Sequence, residues 1–168
     1  MEKKFTALKY FAYTLEIILV FVLQQTPFFL PEIFGAKPVM LIVVAITIAC
    51  FEKEIPTTIF AVLCGVFLDL GFSGNIGFYA IVLTLLCYLI SNIFRDYMMV
   101  TFLNSLAVTS VITVILILLH FLFFYVMKGY SQGGYYFVHH YLGRIFYTIL
   151  TFPLFYLLNK NLCKTLRD

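Results

Sequence analysis

The sequence contains no tryptophan and has few charged residues. Charged side chains make up 11% of the 168 residues and hydrophobic ones 63%. A soluble domain carries about 25% charged and about 45–50% apolar residues. With a mean hydropathy of +1.03, this chain in water would expose far more apolar surface than it could bury. Lipid is therefore the predicted solvent for most of its length.

The sequence also lacks the cysteine and histidine spacings that are typical of metal and redox sites. There is no Cys-x-x-Cys, and adjacent His139 and His140 cannot face one another on a helix. We therefore expect no metal and no disulfide framework, and we interpret the cysteines as small hydrophobic residues. These are Cys50, Cys64, Cys87 and Cys163.

Arrangements that perform catalysis are equally absent. The sequence has no phosphate-binding loop, no nucleophile with a base and an orienting acid, and no paired carboxylates. The net charge of +3 is too small to indicate nucleic-acid binding. The sequence therefore predicts neither an enzyme nor a cofactor.

Long apolar runs, such as Val111–Phe124, predict helices as the membrane-spanning elements. Pro38 and Pro56 open two of the predicted helices, and Pro153 predicts a kink inside the last. We predict an all-α integral membrane protein with one domain over residues 1–168. Its six transmembrane helices are predicted at about 10–25, 39–51, 55–70, 76–94, 98–127 and 137–158.

The second and third predicted helices are short, since a straight span needs about 20 residues. The connector Glu52-Lys53-Glu54 is expected to reach water, which favours two short spanning helices. A re-entrant pair is the alternative. The fifth segment is long, which predicts tilt or a projecting end.

Orientation follows from the basic residues. With the N-terminus inside, eight of the eleven lie on the inner side, whereas Lys37, Lys128 and Arg144 lie on the outer side. The positive-inside rule then predicts both termini in the cytoplasm.

Ionisable residues inside spans are costly and are candidates for function. Asp69 and Arg144 both fall in the outer halves of their predicted spans, so we expect an ion pair between the third and sixth helices. This pair would either set the helix register or contact a ligand or partner. Glu16 is either protonated or faces a polar side chain such as Thr47 or Asn104.

The third helix and its exit loop form the most specific local pattern. Ala61 and Gly65 are four residues apart, on the face that carries Asp69, and small residues there let another helix approach closely. Tight packing of a helix hairpin is one interpretation, and contact with a partner helix is the other. The loop glycines permit a tight turn with positive φ, and they are Gly71, Gly74 and Gly77.

Several of these features recur together in one known family. A Lys37-Pro38 pair opens an aliphatic second span, and a short polar connector follows it. Next come Gly65-Val66-Phe67-Leu68-Asp69-Leu70, a glycine-serine turn, and Gly77 before the fourth span. The chain here resembles a glycine-x-x-x-aspartate-leucine stretch with a downstream glycine.

Near the C-terminus, Gly143-Arg144, Pro153 and the basic end Leu157-Leu158-Asn159-Lys160 complete the resemblance. The family is that of the rod shape-determining protein MreD. The resemblance covers roughly residues 37–160, and size and span number agree with it.

The resemblance implies a non-enzymatic component of the bacterial elongation machinery in the cytoplasmic membrane. Such a protein works with MreC, with RodA and a class B penicillin-binding protein, and indirectly with MreB. It also implies a fold similar to substrate-binding subunits of energy-coupling-factor vitamin transporters.

That similarity in fold supplies the rival function, a small-molecule-binding subunit of a transporter. A rival of this kind needs a cavity lined by convergent polar groups. The candidates for such a lining are Asp69, Asn75, Asn104, His120 and Arg144.

Overall fold

The computed structural model describes residues 2–26, 37–73, 77–123 and 141–165. No strand occurs in these residues. The helices are α1 (Glu2–Gln25), α2 (Met40–Phe51), α3 (Glu54–Leu68) with a following π-helical turn (Asp69–Ser73), α4 (Phe78–Asp96), α5 (Phe102–Phe121), α6 (Leu142–Leu150) and α7 (Phe152–Thr165).

Most of the described helices are long and apolar enough to cross a membrane. The helices α6 and α7 reach that length only as one joint segment, and α2 is a shorter apolar helix. The prediction of an all-helical, multi-pass membrane protein is therefore confirmed. The five segments of spanning length are Thr6–Gln25, Glu54–Gly71, Phe78–Asp96, Phe102–Phe121 and Leu142–Thr165.

The short helix α2 lies at the centre of the bundle. Every residue from Leu41 to Cys50 is buried, and α2 contacts all the other helices. A helix that is apolar on all sides belongs in the interior. Its 12 residues extend about 18 Å at about 1.5 Å per residue.

The N-terminus of α2 is buried, so its backbone donors require partners. The N–H of Val39 donates to Thr148 Oγ1 at 3.0 Å, and the N–H of Leu41 donates to Gln24 Oε1 at 3.4 Å. Side chains from α6 and α1 therefore satisfy the first donors of the central helix.

Several helix ends differ from the predicted positions. α5 begins at Phe102 because Thr101 caps it by accepting from the N–H of Asn104. α7 continues to Thr165 because its buried face extends through Asn159 to Cys163. The predicted boundaries at 127 and 137 lie outside the described residues.

The predicted kink near Pro153 appears as a break between α6 and α7. At Thr151 the N–H bonds to the carbonyl of Thr148, three residues earlier. Pro153 lacks the N–H that would continue the regular ladder to Ile149. The break therefore follows from the proline that predicts the kink.

The helix ends gather at two poles of the bundle. Lys9 contacts both Glu52 and Cys163, and Arg95 contacts Glu54. We call this pole the Glu52 end, and the opposite pole, where Asp69 meets the start of α4, the Asp69 end. The start of α1 and the end of α7 therefore lie at the same pole.

Candidate functional site: polar contacts between the helices

Asp69 is buried at the Asp69 end and caps α4. Its Oδ2 accepts from the N–H groups of Gly77 (2.9 Å) and Ala80 (3.1 Å), and its Oδ1 accepts from the N–H of Tyr79 (2.9 Å). The first N–H groups of a helix have no acceptor within that helix. Gly77 at the cap position has no side chain to serve them, so a carboxylate from the preceding helix takes that role.

Gly65 lies one turn before Asp69 and brings α3 against the same part of α4. A Cβ built on Gly65 would lie 2.8 Å from both Ala80 N and Tyr79 O, and closer still to Ala80 Cα. Ala61, on the same face, is also buried. This face is therefore used for packing within the chain and is not open to a partner helix.

The loop glycines have different roles. Gly77 has φ +111°, the left-handed conformation expected for this turn, and a Cβ added there would meet no atom. The positive φ is therefore the reason that glycine is favoured at this position, since a side chain would have room there. Gly71 packs against the side-chain amide of Gln25. Gly74 lies outside the described residues.

Arg144 lies near the same pole, on α6. Its charge acts on Tyr79 and on His120, and these two rings stack with centroids 5.4 Å apart. Asp69 binds the backbone N–H of Tyr79. The structure therefore brings Asp69 and Arg144 to a common neighbour, and the direct ion pair between them stays a prediction.

Glu16 has a partner that differs from the two predicted from the sequence. The fully buried Asn159 donates from Nδ2 to Glu16 Oε1 at 3.2 Å and to Thr47 Oγ1 at 3.0 Å. The expected neighbour Thr47 is therefore linked to Glu16 through Asn159. The other expected neighbour, Asn104, instead donates to the carbonyl of Met99.

The position of Asn159 could have been found from helical spacing. The sequence pattern predicts it in the basic end beyond the last span. It falls, however, on the apolar face of α7, and the buried residues of that face are Phe152, Phe155, Tyr156, Asn159 and Cys163. A single polar residue on such a face indicates a hydrogen bond between helices.

We expect Asn159→Leu to destabilise the protein by about 1–2 kcal/mol, near the upper end for hydrogen bonds between membrane helices. The substitution removes the described donor to the mostly buried carboxyl of Glu16. Thermal melting in detergent would measure the loss, with the exposed neighbour Asn161→Leu as control. The double variant Glu16→Leu/Asn159→Leu should recover part of it, and no recovery would contradict the pairing.

The prediction that the whole Glu52-Lys53-Glu54 connector reaches water is wrong for Glu52. Its side chain is only 8% exposed and forms a salt bridge with Lys9. It also accepts from the hydroxyl of Tyr13 at 3.1 Å, and its carbonyl accepts from Ser91. Glu52 therefore joins the α2–α3 connector to α1 and α4, whereas Lys53 is exposed.

These polar contacts share one chemical character. They pair side chains with one another or with backbone groups at helix ends, and they connect α1, α2, α3, α4, α6 and α7. Among the described residues, no group of three or more His, Cys, Asp or Glu side chains could hold a metal ion. His139 and His140 lie outside that part of the chain. The arrangement is suited to holding helices in a fixed register.

Comparison with known proteins supports the resemblance drawn from Lys37, Gly65, Asp69 and Gly77. The model of the family described as "rod shape-determining protein MreD" matches residues 4–161. No curated protein and no solved structure matches the chain, and the expected similarity in fold to transporter subunits gains no support from a known structure. A match over nearly the whole sequence implies a role in determining rod shape. The chain belongs to the MreD family.

Proposed function

We propose that this protein is a non-enzymatic membrane scaffold of the bacterial cell-elongation machinery. It holds an MreC-like protein with a single membrane helix, together with RodA and a class B penicillin-binding protein, and it is linked indirectly to MreB. Membership of the MreD family supports this role. The internal use of Asp69, Glu16 and Glu52 supports it too, because these groups serve to fix the helices.

The same proposal includes the membrane topology. The chain crosses the cytoplasmic membrane six times, with α2 as a short central helix and α6 with α7 as the last crossing. Both termini face the cytoplasm. Eight of the eleven basic residues favour that orientation by the positive-inside rule.

The observation that carries the scaffold proposal is the outward face of α3 and of the π-helical turn that follows it. Its residues are exposed and follow helical spacing, and four of the five are β-branched. We call this face the α3 stripe, and it consists of Ile55, Ile59, Val62, Val66 and Leu70, which are 77%, 60%, 42%, 40% and 62% exposed.

β-branched side chains are stiff, so they lose little conformational freedom when another helix packs on them. Close packing is the main force that joins helices in a membrane. The exposed face of α6 and α7 has long, flexible Leu142, Leu150 and Leu154 instead. The α3 stripe is therefore the surface on which we place the helix of the MreC-like partner.

The double substitution Val62→Trp/Val66→Trp is expected to reduce recovery of the MreC-like partner by at least about tenfold. Overpacking a close contact costs about 1–3 kcal/mol, and about 1.4 kcal/mol corresponds to tenfold in affinity. The measurement is co-purification from native membranes in mild detergent. Leu150→Trp/Leu154→Trp, on residues that are each 60% exposed, is the matched control. Equal recovery with both pairs would exclude the α3 stripe as the docking face.

The scaffold proposal is tested by identifying the molecules that co-purify with the wild-type protein. Elongation proteins should co-purify with it, and the chain should restore rod shape to cells that lack their own MreD. A bound vitamin in stoichiometric amount, or an ATPase module, would instead indicate the transporter subunit. That rival needs convergent polar groups, whereas Asp69 and Asn104 bind backbone groups of the chain.

A further inference from the structure

A groove with apolar walls runs between α1 and α7 near the Glu52 end. Leu8, Phe11, Ala12 and Leu15 form its α1 side, and Leu158 and Leu162 lie on the α7 side. The two helices are antiparallel there, since Lys9 lies beside Cys163 and Glu16 beside Asn159. The groove therefore extends from Leu15 and Leu158 towards the start of α1 and the end of α7.

The length of the groove indicates the size of its occupant. From Leu158 to Thr165, which also lines it, α7 rises by about 10 Å at about 1.5 Å per residue. One leaflet of a bilayer has about 15 Å of hydrocarbon, half of the whole core of about 30 Å. The groove therefore accommodates much of one acyl chain, but only a third of a membrane-spanning partner helix.

The charge at the open end of the groove determines which lipid headgroups fit there. Asn161 and Thr165 line this end, and Lys160 and Lys164 are exposed on the same stretch of α7. Lys9 contributes no net charge because it pairs with Glu52. The excess charge at this end is therefore positive.

We propose that this groove is a binding site for an anionic phospholipid. One acyl chain lies between Leu15 and Leu158, and the phosphate lies beside Lys164 and Asn161. Basic pockets between membrane helices recognise anionic headgroups in this way. The site lies on α1 and α7 and is separate from the α3 stripe, so it does not depend on the scaffold proposal.

Native mass spectrometry of the full-length protein in mild detergent would test the site. The probes are phosphatidylglycerol and phosphatidylcholine, which share acyl chains and differ in headgroup charge. Phosphatidylglycerol should be retained about fivefold more strongly, as expected for about one lysine acting near the headgroup. Equal retention of the two lipids would overturn the proposal.

Two variants locate the bound lipid. Ala12→Trp fills the groove and should abolish the preference, whereas Ile18→Trp, on an exposed α1 residue outside the groove, should keep it. Lys164→Ala leaves the walls intact and should lower retention about fivefold, whereas the exposed connector variant Lys53→Ala should not. An unchanged preference in both Ala12→Trp and Lys164→Ala would reject the site. Loss of the bound lipid when the MreC-like partner binds would also reject it, because the groove would then belong to the partner.

Discussion

Asp69→Ala is expected to lower the free energy of unfolding by about 3–5 kcal/mol, the largest loss we predict for a single residue. The carboxylate accepts from three backbone N–H groups, those of Gly77, Tyr79 and Ala80. Each buried donor left without an acceptor costs about 1–3 kcal/mol, and water cannot replace the acceptor within a bilayer. The start of α4 would therefore unwind or separate from α3.

Thermal melting in detergent, followed with a thiol-reactive dye, would measure this loss. The chain suits that dye because Cys50, Cys64, Cys87 and Cys163 are all buried in the folded protein. A loss of about 3 kcal/mol corresponds to roughly 6–12 °C for a chain of this size.

The control is Asp96→Ala, which removes the same charge from the other end of α4. The side chain of Asp96 is 53% exposed, so its removal should change the melting temperature little. Asp69→Asn keeps one acceptor oxygen and should fall between wild type and Asp69→Ala. Similar melting of Asp69→Ala and Asp96→Ala would show that the cap contributes little to stability.

The helical content of this protein could be predicted from its sequence because apolar runs in lipid have few alternatives. The close packing at Gly65 could be predicted as well, since a small residue four positions before Asp69 marks one helix face. The acceptor role of Asp69 could not, because its partners are backbone N–H groups of α4. Backbone donors are present at every residue but proline, so no sequence pattern marks the ones that a carboxylate will bind.

Two other residues are buried although the sequence predicts exposure, and the physical reason is the same for both. Asn159 stands beside Lys160, and Glu52 stands beside Lys53, so the composition around each predicts exposure to water. In the structure, Asn159 is fully buried and the side chain of Glu52 is 8% exposed. A bilayer protein buries a polar group where a second one can reach it, and that partner comes from a helix distant in sequence. The sequence therefore supplied the polar residues but not their pairing.

Gly65→Ala is expected to lower the free energy of unfolding by about 2–4 kcal/mol, although alanine is the better helix former by about 1 kcal/mol. The new Cβ would meet backbone atoms of Tyr79 and Ala80, and forcing a packed interface apart costs about 1–3 kcal/mol or more. Separation also stretches the bonds of Asp69, because the same two residues donate to it.

Two further variants separate this explanation from a general intolerance of alanine. Ala80→Gly should not rescue Gly65→Ala, because the nearest atoms are backbone atoms that glycine retains. Gly71→Ala should be tolerated better, because its new Cβ would meet the end of the flexible Gln25 side chain.

Gly65 and Asp69 are one helical turn apart, so the effects of their substitutions on stability should be coupled. One turn of α3 holds the start of α4 twice, with Gly65 against the backbone of Tyr79 and Ala80 and with Asp69 on the N–H groups of both. Two contacts with the same residues are coupled, so Gly65→Ala/Asp69→Ala should lose less stability than the sum of the single losses, by about 1 kcal/mol or more. Strict additivity in melting experiments would mean that glycine and aspartate act independently. Coupling would identify the glycine-x-x-x-aspartate stretch as a single device that sets α4 against α3 and, with it, the orientation of the α3 stripe.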